Sequence, residues 1–314
     1  MDIFQDHPFG ITTIDTGFTR PGLAASHLIV ENQHAVFIDV GTNYSMPHLL
    51  NVLETKNIPR ENVDYVIVTH VHLDHAGGAG QLMRTFPNAR LVVHPRGARH
   101  MIDPSRLIVG ASAVYGEETF RADYGEIIPI PAQRVIEAGD EYRLDFQGRS
   151  FIFLDTPGHA RHHFCLFDEY SKSFFTGDAF GISYKEFDTP QGVFIFATTT
   201  PIQFEPLLMH QSIDRLLSYH PEKMYLTHYG LVTQLSHLAD KLHDSIDQQI
   251  TLVESFSDSG GERHQLLTDG LFQYFLEEIR QIGCSLPSEQ CKELLKTDIE
   301  LNAQGLEIWW DKDA

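Results

Sequence analysis

Positive charge is scarce in this sequence: 23 Lys and Arg stand against 43 Asp and Glu among 314 residues, a formal charge of −20. A surface of that sign repels polyanions, which argues against nucleic acid as a partner. Cysteine is scarcer still. Cys165, Cys284 and Cys291 are odd in number and none falls in a zinc-knuckle spacing, so buried free thiols are expected rather than disulfides or a cysteine metal site. No window approaches the ~18 consecutive apolar residues of a spanning helix, so no membrane partner is expected. The opening segment MDIFQDHPFG carries two Asp and no apolar run of the secretory kind, and the expected location is the cytoplasm. Internal repeats, low-complexity tracts and flexible linkers are missing as well. With 42% hydrophobic and 21% charged residues, the chain is expected to bury a large core, in one elaborated domain or one domain with an appendage.

What is present is a rhythm of short Val-, Ile- and Phe-rich runs and Gly-containing turns from residue 11 to about 230. The runs at 27–31, 35–40, 64–69, 90–94, 150–155, 173–178 and 223–228 have the length and β-branched content of buried strands. Segments 46–57, 78–88 and 204–220 carry apolar residues at helical spacing. This mixed order predicts a layered α/β sandwich over residues 1–230. Residues 103–131 interrupt the rhythm with Tyr115, Phe120 and Tyr124 among Gly, Glu and Pro, and read as a lid, a pocket wall or a surface excursion. After Tyr229 the pattern turns helical over 232–255, 263–282 and 287–296, a C-terminal extension (231–314) expected to pack on the main domain. Its last segment, DIELNAQGLEIWW (298–310), ends in Trp309 and Trp310, suited to packing or to a partner surface.

The strongest chemical signal is THVHLDHAGG, residues 69–78, directly after the strand DYVIVT. His70, His72, Asp74 and His75 are four potential metal ligands within six residues. On an extended loop, His70 and His72 project to one side and can share an ion, while Asp74 and His75 face a second position. Imidazole and carboxylate together suit zinc, iron or manganese. Most of the 18 His need no such reading, and a lone one such as His94 is ordinarily a satisfied core or surface residue. Four ligand types packed behind a buried strand are not explained that way.

This H-x-H-x-D-H pattern resembles the metallo-β-lactamase superfamily, and the resemblance extends over the first 230 residues or so. It implies a four-layer αββα sandwich and three later ligands, each found in order: His159 in DTPGHARHH, Asp178 in TGDAFG and His228 in LTHYG. His159 would join His70 and His72 at one ion; His228 would join Asp74 and His75 at the other, with Asp178 bridging. IDVGTN matches the family's early Asp-x-Gly turn, making Asp39 a supporting residue rather than a ligand. His163 is expected in the scaffold, and neither it nor His162 on a metal.

The resemblance also implies the chemistry. Two divalent ions about 3.5–4 Å apart, zinc by first expectation with iron or manganese as alternatives, would hold a bridging hydroxide. Asp74 would orient it and pass its proton to the leaving group. The expected reaction is hydrolysis of a small-molecule ester, thioester or lactone. The helical C-terminus is similar to that of glyoxalase II-type hydrolases. Tyr184, six residues beyond Asp178, and Tyr229, beside His228, are the substrate-binding candidates, while Phe194 and Phe196 fit either a pocket lining or the core. A di-iron oxygen-binding or redox protein, a sulfur dioxygenase, hydrolysis of a small phosphodiester or phosphonate, and a non-catalytic metal-binding effector stay open as alternatives, as does a homodimer. Nuclease activity is disfavoured by the charge.

Overall fold

Continuous apolar strands need cover on both faces, and the arrangement of this chain follows from that need. The computed structural model describes residues 3–199, 201–257 and 259–313, apart from the side chains of Tyr115 and Asp313; the Tyr115 ring and Thr200 therefore lie outside the described residues. The chain divides into two compact units, Met1–Asp155 with His162–Gly177 and His220–Thr233, and Thr156–Arg161 with Asp178–Tyr219 and Gln234–Ala314.

In the first unit, β1 (Phe4–Asp6), β2 (Ile11–Asp15), β3 (Ala25–Glu31), β4 (His34–Ile38), β5 (Val63–Ile67), β6 (Arg90–Val93) and β7 (Val135–Glu137) pair in sequence order into one sheet. It is antiparallel up to β4 and parallel from β4 to β7. Helices occupy the crossovers: α1 (Met46–Thr55), α2 (Leu73–Ala76), α3 (Ala79–Thr85), α4 (Pro95–Ile102), α5 (Ser105–Tyr115) and α6 (Glu117–Tyr124). A second sheet runs through β8 (Tyr142–Phe146), β9 (Arg149–Asp155), β10 (Phe164–Asp168), β11 (Ser173–Gly177), β12 (Lys223–Leu226) and β13 (Gly230–Val232), with β11 and β12 parallel.

The period of two along each strand sorts its side chains between two cores. On β4, Val36 and Ile38 meet Phe151, Phe153, Phe164 and Phe175 of the other sheet. Ala35 and Phe37, facing the opposite way, pack with Leu49, Val52, Leu82 and Met101 from α1, α3 and α4. Each fully buried side chain of this kind contributes about 1.5–3 kcal/mol, so a register slip on β4 would expose or misplace several at once.

The second unit holds α7 (Pro206–Ser218), α8 (Leu235–Ser255), α9 (Arg263–Gln281) and α10 (Ser288–Asp313). Two readings of the sequence are refined. Within residues 103–131 the chain forms the helical pair α5–α6. The segment 298–310 continues α10 without a break, because Leu295, Ile299, Ala303 and Leu306 keep one apolar face in register across it. Among the described residues, no helix is long and apolar enough to cross a membrane.

Candidate metal centre

Parallel strands bring their C-terminal ends to one edge, and the functional loops of the first unit start there. Asp39 follows β4 with φ 47°, and its carboxylate is fully buried. It accepts hydrogen bonds from Thr69 N–H at 2.8 Å, Thr69 Oγ1 at 2.9 Å, His75 Nδ1 at 2.8 Å and Thr227 Oγ1 at 2.6 Å. One carboxylate thus fastens the loops after β4, β5 and β12 to each other. The ligand loop then turns into α2 in very little space. A Cβ on Gly77 would lie 2.4 Å from the Leu73 carbonyl oxygen, and one on Gly78 would lie 2.6 Å from that of Thr42. The Gly pair of the motif is therefore required by close backbone approach.

The tautomers follow from these partners. His75 donates Nδ1–H to Asp39, and His228 donates Nδ1–H to the Leu23 carbonyl at 2.7 Å. Each neutral ring then has a lone pair on Nε2. Those two Nε2 atoms stand 3.3 Å apart, and Asp74 Oδ2 lies 3.1 Å from the one on His228 and 3.5 Å from that on His75. Three electron-pair donors converge with the ring protons committed elsewhere, a set that repels itself unless a cation, or a proton on one Nε2, lies among them. The donor set fits a borderline divalent ion. His70 is oriented in the same manner. Thr69 Oγ1 spends its proton on Asp39 and so accepts from His70 Nδ1 at 3.1 Å, leaving His70 Nε2 as the basic nitrogen. The His72 ring lies 4.4 Å from that of His70, centroid to centroid, and the buried His163 ring stacks on that of His70 at 4.9 Å.

In the second unit, His159 and Asp178 form a pair, Nε2 to Oδ2, at 3.4 Å. His159 Nδ1 faces the Thr198 carbonyl at 3.4 Å. The segment bearing that carbonyl is held by a buried amide network. Asn302 on α10 accepts from Thr199 N–H at 3.0 Å and donates to Gln249 Oε1 at 3.3 Å. Gln249 on α8 donates to the Ala197 carbonyl at 2.8 Å, while Ser245 Oγ accepts from Ala197 N–H at 3.1 Å. Asn302, Gln249 and Ser245 are all fully buried.

The structure thus groups Asp74 with His75 and His228, His70 with His72, and His159 with Asp178. Tyr229, next to His228, is half-buried. Tyr184 does not stand as an open pocket hydroxyl: it is 1% exposed, and its hydroxyl donates to both oxygens of Asp298 at 3.0 and 3.1 Å. Phe194 and Phe196 belong to the core of the second unit, where they pack on Phe275. Sequence reading missed Leu23, Thr227, Asn302, Gln249 and Asp298. Thr227 was readable as a hydroxyl beside the candidate ligand His228; the others act through backbone carbonyls or across about 50 to 100 residues of chain and leave no local pattern.

An α/β sandwich with buried His and Asp gathered at strand ends is the architecture of a metal-binding α/β protein. The profile of the metallo-beta-lactamase superfamily matches residues 19–228, and the chain belongs to that superfamily. A metallo-beta-lactamase fold-containing protein of Sulfurisphaera tokodaii is 26% identical over 230 residues, 71% of this chain and 80% of its own. An atrochrysone carboxyl ACP thioesterase of Aspergillus fumigatus is 29% identical over 116 residues, 37% of this chain and 27% of its own. A hydroxyacylglutathione hydrolase of Pelagibacter ubique is 26% identical over 153 residues, 49% of each chain. The matches thus span half or less of those two enzymes. The solved structure of an archaeal superfamily protein from Sulfolobus tokodaii has a TM-score of 0.65 at 22% identity, covering 95% of this chain and 98% of the other. The expected fold, the superfamily's α/β sandwich with C-terminal helices, is thereby shown.

Proposed function

We propose that the chain is a metal-dependent hydrolase of a small-molecule ester, thioester or lactone. The observation that carries this reading is the convergence of Asp74, His75 and His228 with both outer ring nitrogens already committed. His70, His72, His159 and Asp178 would hold a second ion beside the first, as the sequence pattern implies. When bound, such ions lower the pKa of water to around 7 and withdraw electron density from an acyl carbonyl.

The chain's own residues do the rest. Asp39 and the Leu23 carbonyl keep His75 and His228 in the tautomer that offers Nε2, and Thr69 does so for His70. Asp74 is the solvent-accessible member of its group, 22% exposed where His75 is fully buried and His228 nearly so. It is therefore placed to accept the proton released as water attacks and to return it to the departing alkoxide or thiolate. Tyr229 is kept as the substrate-facing hydroxyl. Tyr184 enters only as a support held by Asp298. The names of the Aspergillus and Pelagibacter relatives, an ACP thioesterase and a hydroxyacylglutathione hydrolase, support taking thioesters first among the three substrate classes.

The test is metal content by plasma mass spectrometry on the purified chain and on His228→Ala and Asp178→Ala, with a panel of thioesters, esters and lactones. Close to two zinc ions per chain, reduced in both variants, together with turnover of the panel, is the expected result. Two iron ions with oxygen uptake would replace hydrolysis by oxygen chemistry. A chain that binds no metal even after reconstitution would end the proposal.

A further inference from the structure

The helical pair α5–α6 has a composition that water alone does not explain. From Leu107 to Val114, α5 reads LIVGASAV, with no charged residue on any side. Leu107, Ile108 and Ala111 are half-buried against Leu73, Phe120, Tyr124 and Ile127, while Val109 is 70% exposed. Val109 lies on the far side of the helix from this cluster, and the cluster-facing Leu107, Ile108 and Ala111 themselves keep part of their surface in water.

The position of this half-exposed apolar patch gives it a meaning. Leu73, 5% exposed, lies in this apolar cluster and directly precedes ligand Asp74. Phe18 joins the cluster with its ring 5.6 Å from Tyr124. It belongs to the loop, closed by Thr16 N–H on the Ala24 carbonyl, whose Leu23 carbonyl holds His228. The half-exposed patch therefore adjoins the Asp74 loop through Leu73 and the loop that holds His228 through Phe18. The end of α6 is pinned to the turn after β4, where Asn43 donates to the Glu126 carbonyl and Tyr44 donates to that of Arg121. These tethers hold the cluster as a fixed surface.

We propose that α5, α6 and Phe18 form a wall that receives the apolar acyl chain of the substrate, extending away from Asp74 and His228. This rests on the hydrolase reading and narrows it: the acyl part is a hydrocarbon of several carbons, and the wall acts through the area it removes from water. Full burial of a methylene is worth about 0.8 kcal/mol, close to four-fold in binding, and a wall open on one side delivers roughly two-fold per methylene.

The test uses the metal-loaded full chain, an acyl-N-acetylcysteamine series from acetyl to decanoyl, and decanoate as a binding probe in calorimetry. In the native protein kcat/KM should rise roughly two-fold per methylene beyond butanoyl. Ile108→Ser and Ala111→Glu, both at half-exposed positions, should each reduce the decanoyl-to-acetyl ratio at least five-fold and weaken decanoate binding in parallel, with circular dichroism and metal content unchanged. A native kcat/KM independent of chain length, or an unaltered ratio in both variants, overturns the wall while leaving the hydrolase standing. Decanoate binding that both variants lose, in a protein that turns over no thioester, keeps the wall and removes the hydrolase. A native dimer that Ile108→Ser dissociates, with the ratio unchanged, assigns the face to a second copy and overturns the proposal.

Discussion

Asp39 and Asn302 do the same work with different chemistry. Asp39 is a buried charge at the end of β4 that fastens three loops of the first unit and sets the ring of His75. Asn302 is a buried neutral amide on α10 that fastens residues 197–199 of the second unit, behind the Thr198 carbonyl that faces His159. A buried charge is tolerable only while all its partners are present, whereas an amide that loses a partner leaves one dipole unsatisfied. The first unit should therefore be the more brittle and the more sensitive to pH. The second should fail in smaller steps.

The largest effect is expected from Asp39→Ala. It removes the common acceptor of Thr69, His75 and Thr227. A loss of about 3–5 kcal/mol is expected, the range for breaking a buried charge network, read from urea denaturation at constant slope. Metal affinity should fall by roughly 10- to 100-fold, since His75 is freed to rotate and to take the other tautomer. An Asp39→Ala protein with native stability and native metal content would remove the contrast with Asn302.

Acid is the next probe. His27 is fully buried between the sheets, with its ring 5.4 Å from Phe175 and its Nε2 on the Leu226 carbonyl. Burial pulls its pKa down to about 4, against the pull of that carbonyl in the other direction. The ring is neutral in the folded chain, while the unfolded chain takes up a proton near pH 6.5. Its contribution is therefore complete above pH 6.5 and is lost as pH falls towards 4, by about 3 kcal/mol in total. His27→Gln should flatten the stability profile in that window. An unchanged slope would mean that the acid sensitivity lies elsewhere.

The same contrast explains what was legible beforehand. Four of the first unit's five candidate ligands, His70, His72, Asp74 and His75, lie in one run, and their spacing after a strand is a chemical statement in itself; Asp39 was readable from its turn. The strands were readable where they are long and β-branched, such as β5 and β9. The short β1, β7 and β13 are three residues each, too brief for a period of two to declare itself. The amide network was invisible because its members, Ala197, Ser245, Gln249 and Asn302, come from three separate stretches and are ordinary residues in each. The partner of Tyr184 was hidden for a related reason. The tyrosine's sequence position relative to Asp178 invites a substrate role, and only the fold reveals that Asp298, more than 100 residues later, is its partner.

Asn302→Leu tests the second unit directly. The Thr199 N–H, which is buried, loses its acceptor, and Gln249 loses a donor, so about 2–3 kcal/mol should be lost. The consequence for metal should be smaller than for Asp39, about ten-fold, because the Thr198 carbonyl is displaced rather than removed. If Asn302→Leu matched Asp39→Ala in both readouts, the charge at Asp39 would not be what makes the first unit brittle.

Tyr184→Phe should have the smallest effect and is the most discriminating about role. The variant keeps the ring that packs among Phe187 and Phe196 and deletes only the hydroxyl on Asp298. Asp298 is half-buried, so water can replace the lost donor, and the cost should be about 1 kcal/mol. If Tyr184 is a support, this appears as a lowered Tm with kcat/KM changed less than about two-fold. If it contacts substrate after a rearrangement, kcat/KM drops by roughly ten-fold or more while Tm barely moves, since the loss then falls on the bound state. Asp298→Asn separates the two further: a support role predicts a similar lowering of Tm, because a carboxylate acceptor of the tyrosine proton has been weakened. A substrate role predicts no effect of Asp298→Asn on turnover.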